Sequence, residues 1–139
     1  MVGNPIIVNV SGGMQDYCGF KKEDGTHLTH EDYTTEWGSN HDGRYKDHGE
    51  WAFPVWPTSR SIQGSIPTPY ISDDRPDWQD VAIQMKNAWS ERGEKLKARG
   101  KAGYEYVINP EYGFTASEMS KRFTHDILQT IDNFKPIPR

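Results

Sequence analysis

The stretch Pro5-Ile6-Ile7-Val8-Asn9-Val10, followed at once by Ser11-Gly12-Gly13, decides the fold class of this 139-residue chain. A short, β-branched and nearly continuous apolar run that stops at glycines is typical of a strand buried on both faces of a parallel sheet. The next best strand candidates are residues 51–55 and 69–72, and Pro54 would confine the first of them to a sheet edge. We therefore predict an α/β fold with a parallel sheet.

The composition excludes several classes of protein. A net charge of −4 argues against a dedicated nucleic-acid binder, which usually presents a basic face. The single cysteine, Cys18, excludes an internal disulfide and a cysteine-rich zinc site. No apolar run approaches the roughly 18 residues of a membrane span, and residues 1–10 lack the features of a secretory signal. We expect a cytoplasmic protein without a membrane span, a cofactor or a nucleic-acid partner.

Apolar residues make up only 34% of the chain and aromatic residues 12%, so the core is expected to rely on aromatic packing. Residues 20–75 are polar, show no sustained period of 2 or 3.6, and are predicted to form a long irregular insertion or a set of short strands and turns. The length suits one domain, which we place at residues 1–139.

Residues 77–134 form a helical closing segment in this interpretation. Asp77 is a plausible N-cap, Gly100 a natural stop, and a shorter helix is expected near residues 101–108. The apolar residues that recur at helical spacing after Asp77, and that we expect to form one buried stripe, are Trp78, Val81, Ala82, Met85, Trp89 and Leu96.

A further amphipathic helix is predicted to begin at Thr115. Thr115 and Glu118 have the spacing of a capping box, in which the hydroxyl and the carboxylate satisfy two free backbone donors. Pro136 and Pro138 would end this helix. Its apolar face would comprise Met119, Phe123, Ile127, Ile131 and Phe134.

The loop Ser11-Gly12-Gly13 is the first candidate site. Two glycines at the carboxyl end of a parallel strand let the backbone turn tightly and let a ligand approach the amide groups. Ligands of open α/β sheets sit at the carboxyl ends of strands, and amides at the start of a helix favour phosphate. A glycine turn with no ligand is the alternative.

Residues 3–16, Gly-Asn-Pro-Ile-Ile-Val-Asn-Val-Ser-Gly-Gly-Met-Gln-Asp, resemble a segment of retaining glycosyltransferases of the GT-B fold, namely glycosyltransferase family four and the related glycogen and starch synthases. In that family a Gly-x-Pro and an apolar strand lead into a Ser/Thr-Gly-Gly loop in the domain that holds the nucleotide-sugar donor. Residues 69–89 and 97–119 are similar to the family's later strand and closing helices. The resemblance implies a partial Rossmann-like parallel sheet with C-terminal amphipathic helices, and donor contacts from Ser11, Gly12 and Gly13.

The family also carries two glutamates, eight residues apart, just upstream of the Gly-x-Pro strand, together with an acceptor-binding first domain. Neither is present in this sequence, which begins two residues before Gly3. The resemblance therefore implies a part of a glycosyltransferase, and we expect the chain alone to be inactive. We assign no catalytic residue, and the implied partners are a nucleotide-sugar donor and another chain or the N-terminal domain.

Tryptophans and an arginine supply further candidates. Flat aromatic faces stack on sugar rings, and Arg recognises phosphate or carboxylate in a bidentate manner. We name Trp51, Trp56 and Arg60 as candidate substrate contacts, and Trp37 is a further candidate for contact with a carbohydrate. Core packing is the alternative for all three tryptophans, and it is the prediction for Trp78 and Trp89.

Two other functions stay open. A non-catalytic carbohydrate-binding or assembly protein would use the same tryptophans or an exposed apolar face. A metal-dependent hydrolase would use the histidines of residues 27–48, which lie among Asp and Glu, although their spacing matches no zinc motif and we predict no metal site.

Overall fold

The computed structural model of the chain describes residues 3–32 and 43–135. Two pairs of β-strands are followed by three α-helices, and two 3-10 helices, Gly12–Cys18 and His30–Asp32, lie between the first two strands. The strands are β1 (Ile6–Asn9), β2 (Ala52–Val55), β3 (Pro57–Ser65) and β4 (Thr68–Pro76), and the helices are α1 (Trp78–Ser90), α2 (Glu94–Ile108) and α3 (Ala116–Asn133).

The predicted parallel sheet is present as the pair β1 and β2. Ile6 pairs with Ala52 and Asn9 with Val55. One residue after the last of these pairs, the Val10 amide donates to the Val55 carbonyl at 3.0 Å. Mixed α/β architecture with a small parallel sheet is thus confirmed. Burial on both faces is not, because Ile7 is 41% exposed while its neighbour Val8 is buried.

The outer edge of β2 is closed by its own sequence and by α1. Pro54 has no backbone N–H, and its carbonyl accepts a hydrogen bond from Gln84 Nε2 at 3.1 Å. The Ala52 amide donates to the Gly49 carbonyl at 3.1 Å. The prediction that Pro54 would lie on a sheet edge is therefore confirmed.

Much of the stretch predicted to be irregular is regular. β3 and β4 form an antiparallel hairpin within it, in which Arg60 is opposite Asp74 and Ile62 is opposite Ser72. The strand expected at residues 69–72 lies in β4, so it is part of this hairpin and not of the parallel sheet. Both strands are mostly exposed, and polar strands without a buried face give no clear period in the sequence.

The first helical prediction is right at its start and wrong at its end. Asp77 caps α1 by accepting a hydrogen bond from the Gln79 amide at 2.7 Å. The helix ends at Ser90, and α2 begins after Gly93, whose φ of 96° suits a residue without a side chain. Gly100 lies inside α2 and is buried there, so it is not a stop, and the helix expected at 101–108 is the second half of α2.

The predicted start of the last helix is confirmed, but the capping box is only half formed. The Thr115 hydroxyl accepts a hydrogen bond from the Glu118 amide at 3.3 Å. The Glu118 carboxylate pairs instead with Lys121 at 2.6 Å. None of the helices of the described residues is long and apolar enough to cross a membrane.

The apolar stripes of α1 and α3 face outward. Trp78 is 74% exposed and Trp89 is 69% exposed, so the prediction that both are core residues is wrong. Helix α1 contacts β2, and Gln84 on that side bonds to Pro54. The exposed members of the predicted α3 stripe are Met119, Phe123, Ile127, Ile131 and Phe134.

An aromatic core lies beside the parallel sheet. Trp51 packs against Tyr106 with ring centroids 4.5 Å apart, and His27 lies 4.9 Å from Tyr106. The Gly19 carbonyl lies 2.7 Å from His27 Nδ1 and can only accept, so this ring nitrogen carries the proton. The other buried apolar members of the cluster are Val8, Val10, Cys18, Phe20, Leu28 and Ala52.

We expect this histidine to make the chain less stable as the pH falls from about 7.5 to about 5.5. Burial lowers the pKa of His27 below its ordinary value of 6.5, so the unfolded chain takes up a proton before the folded chain does. The stabilisation is present above pH 6.5 and is lost as the pH falls through the folded pKa. The urea midpoint at both pH values measures the effect, in a range above the titration of ordinary carboxylates.

The His27→Gln variant should lose most of this pH dependence, whereas His125→Gln, which changes an exposed residue of α3, should retain it. Equal pH dependence in the two variants would assign the effect to other groups.

Candidate functional site

The carboxyl ends of β1 and β2 lie side by side. Because the two strands are parallel and Asn9 pairs with Val55, the segments that follow them leave the sheet at the same edge. Ser11–Gly13 follows β1, and Trp56 and then Arg60 follow β2. Apart from Trp51, all five residues that we named as donor or substrate contacts thus follow this edge in the chain, namely Ser11, Gly12, Gly13, Trp56 and Arg60. This is the edge at which ligands of open α/β sheets bind.

The Ser11–Gly13 loop is a tight turn into a 3-10 helix. Gly12 has a φ of 52°, which favours glycine, and the helix Gly12–Cys18 follows without a side-chain cap. The Ser11 amide already donates to the Asn9 carbonyl at 2.9 Å. Of the three residues, Ser11 therefore has no backbone donor to offer, and Gly12 and Gly13 are the ones whose amides could meet a ligand.

Trp56 and Arg60 border one cavity of about 410 Å³, which we call the Trp56–Asp74 cavity. It combines an aromatic ring, two cations and one carboxylate, and Ser11, Gly12 and Gly13 do not line it. Its walls come from the segment before β2, from β3 and from β4. The lining residues are Gly43, Lys46, Trp56, Pro57, Thr58, Ser59, Arg60 and Asp74.

The charged groups of the cavity are arranged around the aromatic ring. Lys46 Nζ lies 4.3 Å from the centroid of the Trp56 ring. Arg60 Nε donates to Asp74 Oδ1 at 2.6 Å, and this hydrogen bond raises the pKa of the guanidinium. The Asp74 side chain is 4% exposed, whereas that of Arg60 is 58% exposed. The buried carboxylate therefore holds an arginine whose remaining donors can reach a ligand.

Lys46 and Asp74 are site residues that the sequence did not single out. Asp74 follows Asp73 in the sequence, and only the register of the hairpin puts it opposite Arg60. Lys46 precedes the other charged residues of the cavity by more than ten positions in the chain, and no recognisable motif surrounds it. Because β3 and β4 are mostly exposed and show no clear period, no pattern in the sequence could have paired Asp74 with Arg60.

Trp51 is a core residue. It is 6% exposed, its Nε1 donates to the Tyr17 carbonyl at 2.8 Å, and its ring packs on Tyr106. This is the packing alternative that its sequence context left open. Trp37 lies outside the described residues.

The histidine-rich segment forms no metal centre within residues 3–32 and 43–135, where no group of three or more His, Cys, Asp or Glu could hold an ion. His27 is part of the aromatic core, and His48 Nδ1 bonds to the Gly49 carbonyl at 2.8 Å. His41 and Asp42 lie outside the described residues. Cys18 is fully buried, and burial raises the pKa of its thiol to about 12, so the nucleophilic thiolate is not available near neutral pH.

Comparison of the chain with protein-family models, with curated proteins and with solved structures gave no match.

Proposed function

We propose that this chain is the donor-side part of a glycosyltransferase, and that the Trp56–Asp74 cavity binds the nucleotide-sugar donor. The observation that carries the proposal is the position of this cavity, which begins at Trp56, one residue beyond the carboxyl end of β2 in a parallel pair. The resemblance of residues 3–16 to the GT-B family implies donor contacts at Ser11–Gly13, which do not line the cavity but follow β1 at the same end of the parallel pair. The loop Ser11–Gly13, which is part of this resemblance, leaves the sheet at the end where Trp56 follows β2.

The chemistry of the cavity suits such a donor. A nucleotide sugar has planar and ring-shaped parts joined by a diphosphate. Trp56, which packs on Phe20 with ring centroids 5.7 Å apart, contributes the remaining apolar surface of its ring to the cavity wall. Lys46, which lies over that ring, and Arg60 offer positive charge for the diphosphate. Asp74 balances only one of these two cations, so the cavity carries net positive charge. An anionic ligand is therefore favoured over a neutral one.

The free edge of β1 supports the proposal that the chain belongs to a larger sheet. Ile6, Val8 and Val10 bond to β2, so the backbone groups of Ile7 and Asn9 point to the other side, where no strand of the described residues pairs with them. Asn9 Oδ1 is buried and has no hydrogen-bond partner there. In the whole enzyme a further parallel strand would cover this edge, and the apolar face of α3 would pack on the acceptor-binding domain.

Calorimetric titration of the full chain with UDP-, GDP- and ADP-sugars tests the proposal. We expect one of the three to bind, and we expect Arg60→Ala to weaken its binding about tenfold or more, the usual effect of losing a hydrogen bond to a charged group. The matched control is Arg75→Ala. Arg75 lies in the same hairpin, pairs with Asp73 at 2.8 Å and has an equally exposed side chain, but it does not line the cavity.

Equal weakening by Arg60→Ala and Arg75→Ala would contradict the proposed site. Failure of all three nucleotide sugars to bind would contradict the function. The second candidate, a non-catalytic carbohydrate-binding or assembly protein, is favoured by the exposed apolar faces of α1 and α3. It predicts self-association or glycan binding without affinity for any nucleotide sugar.

A further inference from the structure

A second cavity also borders Trp56. It has a volume of about 370 Å³ and lies between β2 and the polar side of α1, with α2 closing one end. We call it the β2–α1 cleft. Its aromatic wall is Phe53 and Trp56. Its polar wall consists of His48, Gln84, Asn87, Ser90, Glu91 and Arg99.

The charges of the cleft are already paired. Arg99 forms a bidentate ion pair with Glu91, in which Nη2 lies 3.0 Å from Oε1, and its other terminal nitrogen donates to the Glu50 carbonyl. Lys95 binds the same carboxylate of Glu91 at 2.9 Å. A charged ligand would have to compete with these contacts, so the cleft favours a neutral ligand, in contrast to the Trp56–Asp74 cavity.

The polar wall of the cleft keeps acceptors for a ligand, and also the second amide N–H of Gln84 and of Asn87. Gln84 Nε2 donates to the Pro54 carbonyl at 3.1 Å, Asn87 Nδ2 donates to Gln84 Oε1 at 3.2 Å, and Ser90 Oγ donates to the Asn87 carbonyl at 2.7 Å. Asn87 Oδ1 and Ser90 Oγ accept no hydrogen bond from any side chain or backbone group of the described residues. Hydroxyl groups, which both donate and accept hydrogen bonds, and an apolar face therefore suit this cleft.

We propose that the β2–α1 cleft binds a neutral sugar ring, with Asn87 and Ser90 accepting from its hydroxyl groups and the Trp56 side lying against its apolar face. A pyranose has this combination of donors and apolar C–H surface. Only the statement that a donor occupies the neighbouring Trp56–Asp74 cavity rests on the proposed function. Because Trp56 borders both cavities, the sugar would lie next to the donor.

The test is an NMR titration of the full ¹⁵N-labelled chain with the methyl glycosides of glucose, galactose, mannose and N-acetylglucosamine. We expect at least one glycoside to shift the Trp56 indole signal and the Gln84 and Asn87 side-chain amides. The double variant Asn87→Ala, Ser90→Ala should weaken that binding about tenfold, because two hydrogen bonds are lost. The control is Gln79→Ala, Lys86→Ala, which changes two exposed residues of the same helix outside the cleft.

Absence of any shift, or equal binding by the two double variants, would overturn the inference. Glycoside binding that the Asn87→Ala, Ser90→Ala variant weakens would support it, whether or not a nucleotide sugar binds. The proposed function is tested separately, by the nucleotide-sugar titrations of the Arg60→Ala and Arg75→Ala variants. Neither arginine lines the cleft, so these variants should not alter glycoside binding.

Discussion

Replacement of Gly100 by alanine is expected to destabilise the chain by about 3 kcal/mol, the upper end of the usual cost of overpacking. A glycine in the middle of a helix normally costs stability, and its replacement by alanine returns roughly 0.5–1 kcal/mol. Here alanine is expected to lower the stability instead of raising it. A Cβ at this position of α2 would fall on the backbone carbonyl oxygen of Gly3, far inside van der Waals contact. Backbone cannot rotate away as a flexible side chain can, so α2 must shift from the segment that leads into β1. The urea midpoint, followed by far-UV circular dichroism, measures the loss.

Gly13→Ala is the matched control for this prediction. Gly13 does not have a positive φ, and a Cβ there would meet no atom within 4 Å. The same chemical change should therefore alter the unfolding free energy by no more than about 0.5 kcal/mol. A midpoint for Gly100→Ala at or above that of the unchanged chain would mean that α2 does not lie against Gly3 as described.

The same glycine explains why one helix end could not be predicted from the sequence. Local signals were sufficient where the structure is local: Asp77 and Thr115 each cap the helix that they precede, through a hydrogen bond to a backbone amide two or three residues ahead. Gly100 has the residue type of a helix stop, but its role is a close contact with a segment almost a hundred residues away in the chain. A single sequence gives the residue type and not the contact.

Long-range pairing also limits what the sequence says about the site. Trp56 and Arg60 could be chosen by chemistry, since they are close in the chain and of residue types that bind sugars and phosphates. Lys46 and Asp74 join them only through the fold and the hairpin register. The stripe of α1 was correct in its spacing, but periodicity cannot say whether the surface that covers a stripe belongs to the same chain. Trp78 and Trp89 are examples, because both have the spacing of buried residues and yet are exposed in this chain.

Replacement of Trp51 by alanine is expected to cost about 4 kcal/mol, as for other buried aromatic residues. Three glycines, Gly19, Gly49 and Gly103, lie so close to this ring that a Cβ on any of them would collide with the Trp51 side chain. The ring is thus enclosed by backbone, which cannot collapse into the space that alanine leaves. The Tyr17 carbonyl would also lose the indole N–H that donates to it at 2.8 Å. A drop in the urea midpoint, together with loss of the near-ultraviolet dichroism of the aromatic cluster, would register both losses.

Trp89→Ala provides the comparison, because it removes the same side chain from a position that is 69% exposed. If the aromatic core around Trp51 holds the parallel pair β1 and β2 together, Trp89→Ala should change the midpoint by less than a quarter of the effect of Trp51→Ala. The conservative variant Trp51→Phe should lie between the two, since phenylalanine keeps part of the stacking on Tyr106 but cannot donate to Tyr17. Similar losses for Trp51→Ala and Trp89→Ala would mean that the exposed stripe of α1 is covered in solution, and that association of this face contributes as much to stability as the aromatic core does.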